Sequence, residues 1–328
     1  MNVHILNAEP SEYSEEARRI LQSLGELVEH PVSQGKLAQW VQGFDVLIVR
    51  LGLRVTRQVI EAADRLIAVV TATTGLDHVD VRAVEERGIT VLSLRGEAEF
   101  LRTIPATAEH TWALLLALIR RVPWAFQDVQ NGGWNRDLFR GEELRGKQLG
   151  ILGLGRIGKQ VARYGLAFGM KVGAYDPYRG EWLEGIKCFE TLEGLLSWSQ
   201  ILTVHVPLKE ETRGLLSKER LRLLPRGVWI VNTSRGAIID EAALVGLLEE
   251  GHVAGAAVDV LVDEQSSRYR AENPLICYAQ EHGNLLITPH LGGATMDSMR
   301  RTEVFMAKRL EEFLATTPRI SREQPRRR

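Results

Sequence analysis

Cysteine is nearly absent. Only Cys188 and Cys277 occur in 328 residues, each alone and without a CxxC pair. That excludes a disulfide-stapled secreted scaffold and a thiolate metal site. Charge of one sign is equally scarce: 41 Lys and Arg face 42 Asp and Glu, a formal net charge of -1. No field of one sign is available to hold a nucleic acid or an anionic membrane surface, so the expected partner is a small metabolite. No apolar run reaches the roughly 20 residues of a membrane span; "WALLLALIRR" is too short and ends in arginines. The opening "MNVHILNAEPSEYSEEARRI" has neither a basic n-region nor an apolar stretch of signal length, so a soluble, cytoplasmic chain is expected. HExxH and Cys/His clusters at ligand spacing are missing too, and no metal is expected. The closing "SREQPRRR" reads as a frayed basic tail.

What is present suits two domains, in length and in an apolar content of 45%. Over the first hundred residues, β-branched runs ("VHIL", "DVLIV", "LIAVV", "ITVL") alternate with helical spacing ("SEEARRILQSLGEL", "DHVDVRAVEERG"). Alternation of this kind predicts crossover units and a parallel sheet. A long helix is predicted next, capped by Thr103, with Pro105 in its first turn, a kink at Pro123 and a stop at Asn131-Gly132-Gly133. From Gln148 the alternation restarts in "QLGILGLG", "KVGAYD", "QILTVHVP", "GVWIVNTS", "HVAGAAVDVL" and "NLLITPH". These runs are apolar on both faces, as in a parallel sheet covered on both sides. A last helix from Ala294 to about Ala315 has no sheet of its own and is expected to return to the first domain.

The segment "LGILGLGRIGKQVARYGLAFGMKVGAYD" carries the strongest single motif. Gly153 permits a tight turn after a buried strand, Gly155 lets a pyrophosphate approach the backbone, and Gly158 lets the following helix pack against the strand. The helix N-terminus then offers free N–H groups and partial positive charge. Asp176, ending the next strand, can accept hydrogen bonds from an adenosine ribose and would repel a 2′-phosphate, favouring NAD over NADP. Arg179 stands close enough to blunt that preference.

Ligands of open α/β sheets bind beyond the carboxyl ends of the strands. Those ends deliver Arg235 in "VNTSRGAIID", Asp259 in "AVDV" with Glu264 soon after, and His290 in "TPHLGG", followed by Gly292 and Gly293. An arginine grips a planar carboxylate with two parallel hydrogen bonds. A histidine can take a hydroxyl proton while a hydride leaves the same carbon, and a carboxylate on its other nitrogen fixes the tautomer. Taken singly, each residue also has a plain reading as a surface arginine, a solvated loop acid or a turn histidine. His205, at the end of "LTVHV", is read as lining the cofactor site. His78 is read as a helix cap and His110 as packing within the long helix, while His4, His30, His252 and His282 are read as structural or exposed.

Taken together, "TTGLDHVDV", "ATAEHTWALLLALIRR", "GEELRGKQLGILGLGRIGKQVA", "HVPLKEETRGLL", "VNTSRGAIIDEAALVGLLEEG", "AGAAVDV" and "TPHLGGAT" resemble, in order, the D-isomer-specific 2-hydroxyacid dehydrogenase family. The resemblance implies two doubly wound α/β domains with a ligand cleft between them. One is a flavodoxin-like substrate domain made of residues 1–104 plus 292–328. The other is a Rossmann NAD-binding domain, 105–291, that begins with a dimerisation helix. It implies a homodimer acting on a 2-hydroxy or 2-oxo acid, with Arg235 binding the carboxylate, His290 exchanging the proton and Glu264 orienting the imidazole. Cofactor contacts are implied at Thr74, Arg156, Ile157, Asp176, Val206, Pro207, Thr233, Ser234, Asp259 and Gly292, with Asp259 holding the nicotinamide amide. Arg50, Thr74 and Gly75 fall on the substrate side. The segment 93–110 is longer than the family's usual loop, and the usual Glu-Pro is replaced by Glu264-Gln265 and a long polar stretch to Asn273-Pro274. Both departures bear on the substrate, which stays open between 3-phosphoglycerate and glyoxylate or hydroxypyruvate. No room is expected for a C-terminal regulatory domain. The alternative is an NAD(H)-sensing, corepressor-like binding protein on the same fold; formate dehydrogenase ranks lower because it carries an amide where Glu264 stands.

Overall fold

A computed structural model of the chain describes residues 3–178 and 183–316; Arg179 lies outside them. The chain divides into two compact units, 1–99 with 296–328, and 100–295.

The first unit is built on five parallel strands, β1 (Val3–Asn7), β2 (Gly25–Glu29), β3 (Val46–Val49), β4 (Ala68–Thr71) and β5 (Thr90–Leu92), in the order β2-β1-β3-β4-β5. This is the flavodoxin-like order. Every residue of β3 and β4 is buried, as expected of runs apolar on both faces. The stretch expected to be helical through "LGEL" ends sooner: the helix is Glu15–Leu24, and Gly25 opens β2. A Cβ at Gly25 would run into the Val3 carbonyl, so glycine lets the chain turn back against β1 at this distance. His78 is not the cap expected of it. Asp80 caps the helix Val81–Glu86 by accepting from Ala83 N at 2.9 Å, while the buried His78 places Nε2 3.2 Å from Thr71 Oγ1.

The final helix, Met296–Thr316, packs in this unit against helix Glu15–Leu24. Its buried Glu303 pairs with the Arg50 guanidinium and accepts from Ser14 N at 2.7 Å. Arg50 also donates to the Ser11 carbonyl at 2.8 Å and lies over the Tyr13 ring.

The second unit carries seven parallel strands: β6 (Gln148–Leu152), β7 (Lys171–Tyr175), β8 (Ile186–Cys188), β9 (Ile201–Val204), β10 (Val228–Asn232), β11 (Val253–Val258) and β12 (Leu285–Ile287). Their order is β12-β11-β10-β9-β6-β7-β8. The chain builds outward from β6 through β7 and β8, then crosses back to add β9 to β12 on the other side. The reversal falls between β6 and β9, the point where doubly wound sheets open a crevice for a ligand. Flanking helices complete the α/β fold.

The single long helix expected after residue 103 is two helices, Ala106–Ile119 and Val122–Gln130. Pro123 has no N–H to donate, and its ring would clash with the carbonyl of Ile119. The chain therefore breaks, Arg121 takes a left-handed φ of 54°, and Pro123 sits in the first turn of the new helix, where it is tolerated. Thr103 does not cap either helix; its hydroxyl donates to the Phe100 carbonyl at 2.7 Å. The long segments flagged in the sequence contain short helices, Ala98–Arg102 and Ser267–Glu272.

Candidate active site

The glycine turn leaves the carboxyl end of β6 at the sheet's reversal point. Gly153 has φ +92°, and a Cβ there would come within 2.8 Å of the His205 carbonyl and of Val206. Gly158 lies so close to the Gly153 carbonyl that a Cβ would collide with it, which seats helix Arg156–Ala167 tightly against the strand. At Gly155, the N-cap of that helix, a Cβ would meet no described atom within 4 Å. No side-chain cap is present there among the described residues, so no side chain takes up the partial positive charge of the helix start. That is the cradle a pyrophosphate needs. Asp176 follows β7 and accepts from Leu154 N at 2.8 Å and Tyr178 N at 2.9 Å. The carboxylate is thus tied to the glycine turn. These residues fit a dinucleotide.

The Arg156 side chain turns to the carbonyls of Leu101 and Ile104, at 3.4 and 3.2 Å, and burial pulls its pKa below the ordinary value. Ile157 packs against the core of this unit. His205 follows β9, with its Nε2 shielded from solvent; burial pushes its pKa down to about 3, so the ring is neutral through the physiological range. Ser234 donates to the Val206 carbonyl, Pro207 is exposed, and Thr233 meets Thr111 hydroxyl to hydroxyl at 2.8 Å.

Arg235, Asp259 and His290 follow β10, β11 and β12, three neighbouring strands, at one carboxyl edge. Backbone bonds sew their turns together: Asp259 N donates to the Asn232 carbonyl and His290 N to the Asp259 carbonyl, each at 2.9 Å. The Asn232 amide donates to the Arg235 carbonyl at 3.0 Å, and Arg235 Nη1 donates to the Ser234 carbonyl at 2.8 Å. Gly236 packs so closely on the Leu261–Val262 backbone that any side chain there would collide with it. The turn carrying Arg235 therefore abuts the loop carrying Glu264.

His290 Nδ1 lies 2.5 Å from Glu264 Oε1, and each side chain is 24% exposed. The second Glu264 oxygen accepts from Leu261 N at 3.1 Å. Glu264 is thus held at both oxygens, and Nδ1 is the ring nitrogen of His290 that it engages. His290 has φ +56°, a left-handed conformation that costs a non-glycine residue roughly 1–2 kcal/mol. The turn is held by the buried Asp259, which accepts from Thr288 Oγ1 (2.6 Å), Leu291 N (2.7 Å) and Gly292 N (2.8 Å). Gly293 beyond it is exposed.

Three residues of this site were not singled out from sequence. His110 reaches Asp259 and Thr288 rather than only packing, and Thr288 itself bonds Asp259. Glu241 is buried, with its pKa raised by that burial, and accepts from Val262 N (2.8 Å), the Asn273 amide (2.8 Å) and Tyr269 OH (3.3 Å), bracing the Glu264 loop. The available signal was a polar side chain on an otherwise apolar helical face. In the first unit, Thr74 is exposed and Gly75 half-buried in the loop after β4, and Thr73 Oγ1 donates to the Gly75 carbonyl at 2.8 Å. Among the described residues, no cluster of three or more His, Cys, Asp or Glu could hold a metal, and no helix is long and apolar enough to cross a membrane.

Residues 112–292 match the family model described as D-isomer specific 2-hydroxyacid dehydrogenase, NAD binding domain. The chain belongs to this family. It is 35% identical to the D-3-phosphoglycerate dehydrogenase of Methanocaldococcus jannaschii over 95% of its own length and 57% of that protein's. It thus spans little more than half of the phosphoglycerate dehydrogenases it matches. It is also 35% identical to the hydroxypyruvate reductase of Thermotoga maritima, over 90% of this chain and 94% of that one. The structure resembles D-lactate dehydrogenase from Aquifex aeolicus complexed with NAD and lactic acid, with a TM-score of 0.80 and 28% identity over 95% of both chains.

Proposed function

We propose that the chain interconverts a D-2-hydroxy acid and its 2-oxo acid, with NAD as the redox partner. The observation that carries this reading is the His290–Glu264 pair, set beside the Arg235 turn on the carboxyl edge of a sheet with a dinucleotide turn. Bound NAD supplies the hydride acceptor; the chain does the rest. Gly153, Gly155, Gly158 and the first turn of the following helix hold the pyrophosphate, and Asp176 holds the ribose. Arg156, Ile157, His205, Val206, Pro207, Thr233, Ser234, Asp259 and Gly292 complete the cofactor side. Arg235 binds and orients the substrate carboxylate. His290 Nε2 takes the hydroxyl proton in oxidation and returns it in reduction, while Glu264 fixes the ring and stabilises it once protonated.

The test is NADH consumption over a set of 2-oxo acids that includes hydroxypyruvate, glyoxylate and 3-phosphohydroxypyruvate. Turnover of at least one supports the reading. Tight NADH binding with no turnover of any would favour the sensing, corepressor-like alternative.

Asp176→Ala should narrow the preference for NAD over NADP by about tenfold, the size of a like-charge repulsion of about 1.4 kcal/mol. The ratio of kcat/KM for the two cofactors reads it, and an unchanged ratio would make Asp176 only a brace for the glycine turn.

A homodimer is part of the same proposal. Phe126 and Trp134 are 63% and 89% exposed, with Val122, Val129 and Leu138 exposed nearby in sequence. Large aromatics left in water on one segment are characteristic of an interface. Trp134→Glu combined with Phe126→Glu should convert a dimer to monomer in sedimentation velocity; a wild-type monomer would refute the assembly.

A further inference from the structure

Helix Ala106–Ile119 is apolar overall but carries a polar stripe at Thr107, His110 and Thr111, spaced i, i+3 and i+4 on one face. Each of the three reaches a strand end of the same sheet. Thr111 meets Thr233 after β10, His110 meets Asp259 after β11 and Thr288 after β12, and Thr107 stands against Gly292, where a Cβ would lie 3.2 Å from its methyl. At the centre of these contacts is the Asp259 carboxylate. His110 Nε2 lies 3.1 Å from Asp259 Oδ1 and 3.1 Å from Thr288 Oγ1. A carboxylate oxygen can only accept, and the Thr288 hydroxyl already donates to it. The hydrogen is therefore on His110 Nε2, assigned from the network.

We propose that His110 is a positioning residue for His290: its Nε2–H completes the buried donor set that fixes Asp259, and Asp259 holds the left-handed turn on which His290 rides. Three donors meet at Asp259 Oδ1: the Thr288 hydroxyl, Leu291 N and His110 Nε2. Oδ2 takes Gly292 N, and the Asp259 carbonyl takes His290 N. Remove the His110 donor and the carboxylate loses the one side-chain donor that comes from the helix, leaving it held only by Thr288 and by the turn it is meant to fix. The acceptor of the Leu291 and Gly292 amides is then less firmly fixed, and nothing in the intrinsic preference of a non-glycine residue keeps His290 at φ +56°. Two histidine–carboxylate pairs thus meet the ends of β11 and β12. One, His290–Glu264, faces the chemistry; the other, His110–Asp259, holds the turn that presents it.

This inference rests on the proposed function, so the test has one arm that needs turnover and one that does not. In the first, His110→Leu and His110→Asn should lower kcat about 10–100-fold, the scale of loss when a change away from the chemistry misplaces a reacting group. KM for the 2-oxo acid should stay within about threefold, because Arg235 is untouched. His110→Gln, whose amide N–H reaches the place of Nε2, should recover kcat to within about threefold of wild type. Asn is too short to do so, and since Gln and Asn place the same amide group in the helix, their comparison is kept if the Leu variant does not fold. In the second arm, hydrogen exchange at Leu291 and Gly292 should quicken in His110→Asn and stay slow in His110→Gln. Wild-type kcat in His110→Asn would overturn the proposal, as would a fall in His110→Gln equal to that in His110→Asn. If the wild-type chain turns over no 2-oxo acid, the functional reading fails. The exchange arm then decides His110 alone, and unchanged exchange in His110→Asn overturns its role.

Discussion

His290→Ala should lower kcat by about 10²–10⁴-fold, the usual contribution of a placed general acid–base, while the Kd for NADH stays close to wild type. The separation follows from the architecture. The glycine turn belongs to β6 and the histidine to β12, at the far edge of the sheet, and the cradle at Gly155 does not depend on the imidazole. In the proposed mechanism the loss belongs in kcat, because the ring would act when a proton moves in step with the hydride; a residue used only for binding would raise KM instead. The measurement is a steady-state profile on the preferred 2-oxo acid with NADH binding followed by fluorescence. Near-wild-type kcat would remove His290 from acid–base chemistry. A large rise in the NADH Kd would show that the ring supports the cofactor pocket rather than the proton.

The parallel sheets were legible in the sequence because their strands are buried on both faces and read as unbroken apolar runs. "DVLIV", "LIAVV", "GVWIVN" and "AGAAV" each became a strand buried along most or all of its length. The edges were harder. β2, "GELVE", has a single apolar pair and directly continues a helical pattern, and β8 is only three residues long with two of them exposed. The break at Arg121 depended on weighing one proline against a strongly helical flank, and a bend rather than a left-handed stop was the reading that local pattern favours. Placement of Arg235, Asp259 and His290 after neighbouring strands was readable because parallel topology puts successive strand ends on one edge. His110 was not: its partners lie 149 and 178 residues away, and within its own helix a lone histidine on an apolar face looks like packing. Nor could sequence reveal that Arg50, read as facing substrate, has its guanidinium engaged by Glu303 and the Ser11 carbonyl.

Arg235 carries the second large expectation. Arg235→Gln should reduce kcat/KM for the 2-oxo acid by about 10²–10³-fold, because losing one partner of a desolvated, hydrogen-bonded charge pair costs about 2–5 kcal/mol. Arg235→Lys should restore only part of this. An ammonium keeps the charge but cannot offer two parallel N–H groups to a planar carboxylate, and orientation matters here as much as attraction. In the proposed reaction the reacting carbon is adjacent to the carboxyl group that Arg235 would grip, so a tilt at the carboxylate would move the hydroxyl away from His290 Nε2. Misplacement by an ångström is enough to cost about 10²-fold. The turn is built to prevent that: Asn232 holds the Arg235 carbonyl, Ser234 holds the guanidinium, and Gly236 lets the whole turn press against the backbone leading to Glu264. The lysine variant is therefore expected to lose kcat as well as affinity. A variant that binds poorly but reacts at the full rate once saturated would mean that Arg235 supplies charge alone. One with unchanged kcat/KM would mean that another cation receives the carboxylate.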